Sequence, residues 1–273
     1  MWPAFLLFFQ VSAHAAGMQA YREHRYADAV EQFSEAVKTE APGSAEHQES
    51  ALMIGESLYL EKKFTEAVSW FEKAAASGPR ALTAEFMLGN ACLKAHQDDQ
   101  ALQAFASLFQ VRPDSAAAHS LTAEMMLREQ LWPGAEREVR RALEMDAHLP
   151  QAHFILGELA MAHGDAARAT EEFQREIEVN PSFPMTFYRL GEAQGKLGAW
   201  DDAILSLERS IWLNPYQVGP YLLLGEAYLN RGNLSDAEGA LRYVLSMDPE
   251  NARARNLLER TLERGREPQP QGK

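Results

Sequence analysis

The sequence predicts an all-α fold, an α-solenoid of antiparallel helix pairs stacked one after another. Two observations carry this. An alanine recurs as Ala67, Ala101, Ala135, Ala169, Ala203 and Ala237, always 34 residues apart, with Ala29 38 residues ahead of the first. Small residues keep the same period upstream (Gly17, Gly55, Gly89, Ala123, Gly157, Gly191, Gly225), and Pro79, Pro113, Pro181, Pro215 and Pro249 close most periods. A fixed period of this length is the signature of a repeat architecture, in which each unit buries its apolar stripe only against its neighbours.

The composition suits such a core. Of 273 residues, 46% are hydrophobic and 24% charged, with 26 Lys+Arg against 39 Asp+Glu for a formal charge of −13. That excess argues against nucleic acid, whose affinity rests on Lys and Arg neutralising phosphates, and favours cationic partners. The single cysteine, Cys92, excludes an internal disulfide and a clustered zinc thiolate site.

Along the chain, Trp2 and Phe5 to Phe9 form a short apolar run ahead of Ala13-His14-Ala15. The run is too short to span a bilayer, so no stable membrane span is expected, but it suits the apolar region of a secretory signal. Residues 1–15 are therefore read as a signal peptide, placing the chain in the periplasm or outside the cell. The run has no Lys or Arg ahead of it, so the alternative is the front of the first helix in a cytoplasmic protein. No Cys stands at the cleavage point to take a lipid anchor.

Seven repeats then occupy residues 16–249, starting near 10, 48, 82, 116, 150, 184 and 218, with four residues inserted around Pro42-Gly43-Ser44. Each reads as two helices. In the seventh, Tyr221, Leu224, Gly225 and Tyr228 make one helical stripe. Arg231-Gly232-Asn233 breaks it, with Gly232 suited to a left-handed C-cap. Asp236 to Met247 forms the second helix, which Pro249 stops. Gly or Ala on one helix facing Ala on the other lets the two approach closely. Trp132-Pro133 places proline at the start of a second helix, where its missing donor costs little. Residues 250–265 are read as a capping helix, about Ala252 to Arg264, in register through Leu258 and Leu262, and residues 266–273 as a disordered tail.

The unit aromatic-x-x-Leu-Gly-x-x-Tyr…Ala…Phe…Pro resembles the tetratricopeptide repeat. Ala41 and Ala147 replace the closing proline, and Glu176 stands where the family places a small residue. The resemblance implies a right-handed superhelix with first-helix side chains on its concave side. Numbering each repeat so that the recurrent small residue is 8 and the alanine is 20, the groove would be lined by positions 2, 5, 9, 12 and 13. Position 9 supplies Glu56, Asn90, Glu124, Glu158, Glu192 and Glu226; position 5 supplies Leu52, Phe86, Phe154, Tyr188 and Leu222. This acidic and apolar surface suits a protein or peptide segment carrying Lys or Arg between apolar anchors. Position 5 never holds Lys, unlike the relatives that grip a C-terminal carboxylate.

Nothing points to chemistry. His24 and His96 fall in inter-helix turns with His163 beside the same position, and His119 and His153 take a packing slot. No His-Glu-x-x-His, Gly-x-Ser-x-Gly or phosphate loop occurs. Cys92 falls on the packing stripe, and Trp212, Tyr216 and Tyr221 read as a packed aromatic cluster, with an accessory interface as the alternative. No catalytic residue, metal site or cofactor is expected. The expected role is a protein-interaction scaffold of the bacterial envelope; the alternatives are a cytoplasmic adaptor and a regulatory or targeting subunit of an enzyme complex.

Overall fold

The computed structural model describes residues 12–76 and 78–266, and among them every regular element is a helix. The apolar run before Ser12 and the tail after Arg266 lie outside the described residues. Two compact units divide between Leu131 and Trp132. The N-terminal one holds α1 (Ala13–Arg22), α2 (Tyr26–Thr39), α3 (Ala45–Leu60), α4 (Phe64–Ala75), α5 (Ala81–Lys94), α6 (Asp98–Leu108) and α7 (Ala116–Arg128). The C-terminal one holds α8 (Trp132–Met145), α9 (Ala152–Ala162), α10 (Ala166–Val179), α11 (Pro184–Lys196), α12 (Trp200–Leu213), α13 (Val218–Arg231), α14 (Leu234–Met247) and α15 (Ala252–Arg266). Within each unit every helix packs on the one before it, which makes an all-α solenoid.

The alanine ladder is the hinge of each pair. Ala29, Ala67, Ala101, Ala135, Ala169 and Ala237 are wholly buried, and Ala203 almost so. Opposite them the position-8 glycines leave room for a large side chain of the second helix. A methyl on Gly89 would sit 2.4 Å from Phe105 Cε1, one on Gly157 2.4 Å from Phe173 Cε1, and one on Gly225 2.7 Å from Leu241 Cγ. The turn between the helices is built alike throughout. Position 15 is left-handed in all seven repeats: His24, Lys62, His96 and Gln130 in the N-terminal unit, Gly164, Gly198 and Gly232 in the C-terminal one. The four inserted residues are absorbed as an extra turn at the start of α3, which begins at Ala45 behind Ser44, whose hydroxyl accepts from the His47 amide.

The structure adds a second buried face to the first helices. Position 3 is closed off as Ser50, Ala84, Ala118, Ala152 and Thr186, and position 10 as Ser57, Ala91, Met125, Leu159, Ala193 and Ala227. One face meets the second helix of its own repeat and the other the preceding repeat. This shifts the register of α15, where Ala254, Leu257 and Thr261 are buried while Leu258 and Leu262 are only half-buried. The reason is positional: α15 has a preceding repeat to cover but no second helix of its own among the described residues. It also runs to Arg266, and α14 starts two residues earlier than expected, at Leu234.

Glu176 is fully buried in α10 and uses its carboxyl oxygens to cap α9. Its carboxylate accepts from the Gln151 amide at 2.8 Å and the Phe154 amide at 3.3 Å, filling the place of the small residue. Burial raises its pKa above the usual carboxylate value, against the pull of those two amides. Beside it Glu172 accepts from His153 at 2.8 Å and from Arg175 at 3.3 Å, so the His153 slot is polar rather than purely a packing substitute.

Candidate functional site

Positions 5 and 9 fall one turn apart on each first helix, so their side chains share a face. In the N-terminal unit, Glu56 on α3 accepts from the Tyr21 hydroxyl of α1 at 3.1 Å. Burial, then the Glu56 charge and hydrogen bond, push that phenol up to about 12. Burial likewise raises Glu56 itself, while the Tyr21 bond and Arg80 pull it back. Asn90 is buried on α5, and Glu124 on α7 pairs with Arg128 at 2.6 Å, one turn along the same helix. Phe86 stands 40% exposed.

Leu52 is not available to a partner. It is 1% exposed, beneath the α4–α5 connection, where it shares a small cavity with Ala74, Pro79 and Arg80, and Arg80 reaches Glu49 at 3.2 Å beside it. Ala45 from the extra turn of α3, with Gln48 and Glu49 behind it, completes this cover, which corrects the groove assignment of this leucine.

In the C-terminal unit the carboxylates are bridged. Arg189 of α11 holds Glu158 of α9 through two bonds, 2.5 Å from Nε and 2.9 Å from Nη2, and Glu192 through Nη1 at 2.5 Å. Burial acts to lower the Arg189 pKa, but the two carboxylates outweigh it and the net shift is upward. Arg253 of α15 takes Glu226 at 2.5 Å. The five glutamates therefore stand half-buried with an internal partner each, and the row is closer to neutral than its carboxylates alone suggest. Arg189 went unnoticed in the sequence, although its spacing three residues before Glu192 is the signal that finds it. Among the apolar neighbours, Phe154 sets its ring edge to Phe183 at 5.5 Å, Tyr188 lies over Gly219, and Leu222 packs against the core around Leu241. They are anchors partly spent on the fold.

Other residues are placed plainly. Cys92 is wholly buried and burial pushes its thiol up to about 12, so it packs as an apolar group. His14 reaches Ser50 at 2.8 Å and edges onto Phe33. Trp212 and Tyr216 are 70% and 82% exposed, so the packed aromatic cluster does not form; Trp212 instead lies under the Arg209 guanidinium at 4.2 Å, while Tyr221 meets Tyr243 with the rings tilted by 44°. Among the described residues no helix is long and apolar enough to cross a membrane.

Profiles described as tetratricopeptide repeat match residues 14–81, 130–184 and 154–217, and, in a second version, 58–125 and 196–262. The chain belongs to the tetratricopeptide repeat family. As an array of these repeats it is a protein-interaction scaffold. No curated protein matches the sequence. Solved tetratricopeptide folds do. One is a chain of the APC/C hetero-tetramer Cut9–Hcn1, 19% identical with a TM-score of 0.55, which covers 92% of this chain and 48% of that one. This chain thus spans about half of that longer one. Another is the C-terminal part of a repeat-containing protein from Cytophaga hutchinsonii, 15% identical with a TM-score of 0.51, covering 90% and 99%. A third is MamA, 21% identical with a TM-score of 0.50, covering 63% and 94%. At these identities the likeness is one of fold.

Proposed function

We propose that the C-terminal unit of the scaffold seats a partner segment along its first-helix faces, with basic residues exchanging into the position-9 carboxylates Glu158, Glu192 and Glu226 and apolar residues beside Phe154 and Tyr188. The observation that carries this is the Glu158–Arg189–Glu192 bridge: half-exposed carboxylates on two repeats are satisfied by one guanidinium, and a partner's Lys or Arg can substitute for it without burying a new charge. Doubling Glu158→Lys with Glu192→Lys is expected to weaken a partner captured by crosslinking by about tenfold or more, with helicity retained. Unchanged affinity removes the carboxylates from the site.

The envelope is the proposed location, resting on the apolar run and the small-x-small triplet Ala13-His14-Ala15. The contact of His14 with Ser50 and Phe33 supports the second reading, in which the leader stays as part of α1. N-terminal sequencing of the protein from its own host separates the two: a mature start at Ala16 means export, an intact start means retention.

A further inference from the structure

The sixth repeat lacks a side chain that the other six possess. Position 12 of the first helix is Tyr21, Tyr59, Leu93, Leu127, Met161 and Leu229 elsewhere, but Gly195 here. In three of the others that side chain is buried: Leu93, Met161 and Leu229 are 0%, 7% and 3% exposed. At Gly195 the place is empty, and a methyl built there would meet nothing nearer than Trp200 Cζ3 at 3.4 Å. A cavity of about 260 Å³ opens at this point within the C-terminal unit, between α11, α12, α13 and α15. Its buried part is apolar, formed by Gly191, Ala203, Leu207 and Ala227, with Trp200 and Leu223 alongside.

We propose that this cavity is a socket for one large neutral side chain, of the Leu, Met or Tyr class, carried by a partner polypeptide. The claim rests on the scaffold reading and deepens it. Two arguments fix the occupant. The fold itself fills the equivalent slot with Leu, Met or Tyr in every other repeat, so a side chain of that size and polarity is what the surrounding helices are shaped to accept. The charged groups around the cavity also balance: Glu226 is paired with Arg253 at 2.5 Å, and Glu192 lies 3.8 Å from Lys196 and is held by Arg189. The two acids and two bases that line the cavity, Glu192 and Glu226 with Lys196 and Arg253, leave no net charge to draw in a charged side chain, yet they offer both donors and acceptors to a peptide backbone passing over the opening. Leaving glycine inside α11 costs helix stability relative to Ala, and the socket gives that cost a use.

The test uses the full chain with nitrogen-labelled tryptophan, following the Trp200 indole resonance, assigned with Trp200→Phe. End-blocked pentapeptides with a central Leu, Met, Tyr, Ala or Lys between Gly and Ser are titrated in. The Leu, Met or Tyr peptides should give a saturable shift at least about tenfold tighter than Ala or Lys. Gly195→Leu, which supplies the missing side chain from within, should abolish that shift while helicity and thermal midpoint hold; Gly195→Ala, the smaller change, should weaken it and serves if the leucine variant loses helicity. Equal binding of the Ala or Lys peptide, no saturable shift with any peptide, or undiminished binding to Gly195→Leu overturns the socket. The proposed carboxylate site fails separately, through an unchanged partner affinity in Glu158→Lys/Glu192→Lys, and the groove reading itself fails if crosslinking captures no partner.

Discussion

At position 15 a single backbone conformation recurs in all seven repeats, but only three of them spend a glycine on it. A side chain in the left-handed region costs about 1–2 kcal/mol, and glycine gives back about 0.5–1 kcal/mol through the greater freedom of its unfolded chain. His96 sits at φ 59° and is exposed, with no side-chain bond to lose. His96→Gly is therefore expected to stabilise the protein by about 0.5–1 kcal/mol in urea denaturation. A loss of stability would show that the imidazole holds the turn in a way its surroundings do not reveal. The same scale shows what can be read from residue order. The buried alanines, the crowded glycines and the buried Cys92 were legible because a period of 34 marks them independently of their surroundings. Leu52 was not, since its burial depends on Pro79 and Arg80, which come from a different connection. Trp212 and Tyr216 misled for the opposite reason: aromatic residues raise an expectation of burial that their outward placement on and after α12 does not meet.

Among the elements, the first helices carry two buried faces, and only one was visible beforehand. The face at positions 3 and 10 is made mostly of Ser, Thr and Ala, with Met125 and Leu159 as its large apolar residues, so hydropathy does not mark it; size does. At the α9–α10 pair, charge replaces size. Glu176 holds a proton to higher pH in the folded chain than in the unfolded one, because burial raises it from 4.5. Its contribution to stability is thus fully present below the ordinary carboxylate pKa and is lost as pH rises through the raised folded value. Comparing the wild type with Glu176→Gln by urea unfolding across this interval, the stability of the wild type relative to the variant should fall as pH rises above 4.5. A difference that stays flat or grows would mean that the amides of Gln151 and Phe154 stabilise the carboxylate more than burial penalises it.

Across the whole molecule, stability in a repeat array is close to a sum of repeat terms and nearest-neighbour terms. Gly89→Ala crowds Phe105 in the third repeat and Gly225→Ala crowds Leu241 in the seventh. Each should cost about 1–3 kcal/mol, and the double variant should match their sum within about 0.5 kcal/mol. A shortfall beyond that would reveal coupling between repeats that are far apart in the chain. The net charge of −13 likewise belongs to the whole, yet it does not describe the candidate face, where each position-9 glutamate has found a partner. For Glu158 and Glu226 that pairing was hidden from the sequence because the partners come from a later first helix, Arg189 31 residues from Glu158 and Arg253 27 residues from Glu226, whereas Glu124 and Glu192 pair within their own helices. Arg189 is one counter-ion shared by two repeats. A cation that takes Glu158 leaves the guanidinium wholly to Glu192, so occupancy at the fifth repeat changes the charge a ligand meets at the sixth. By reciprocity, filling the sixth would change the fifth equally, so a partner bound as proposed would meet Glu158 and Glu192 as one linked pair.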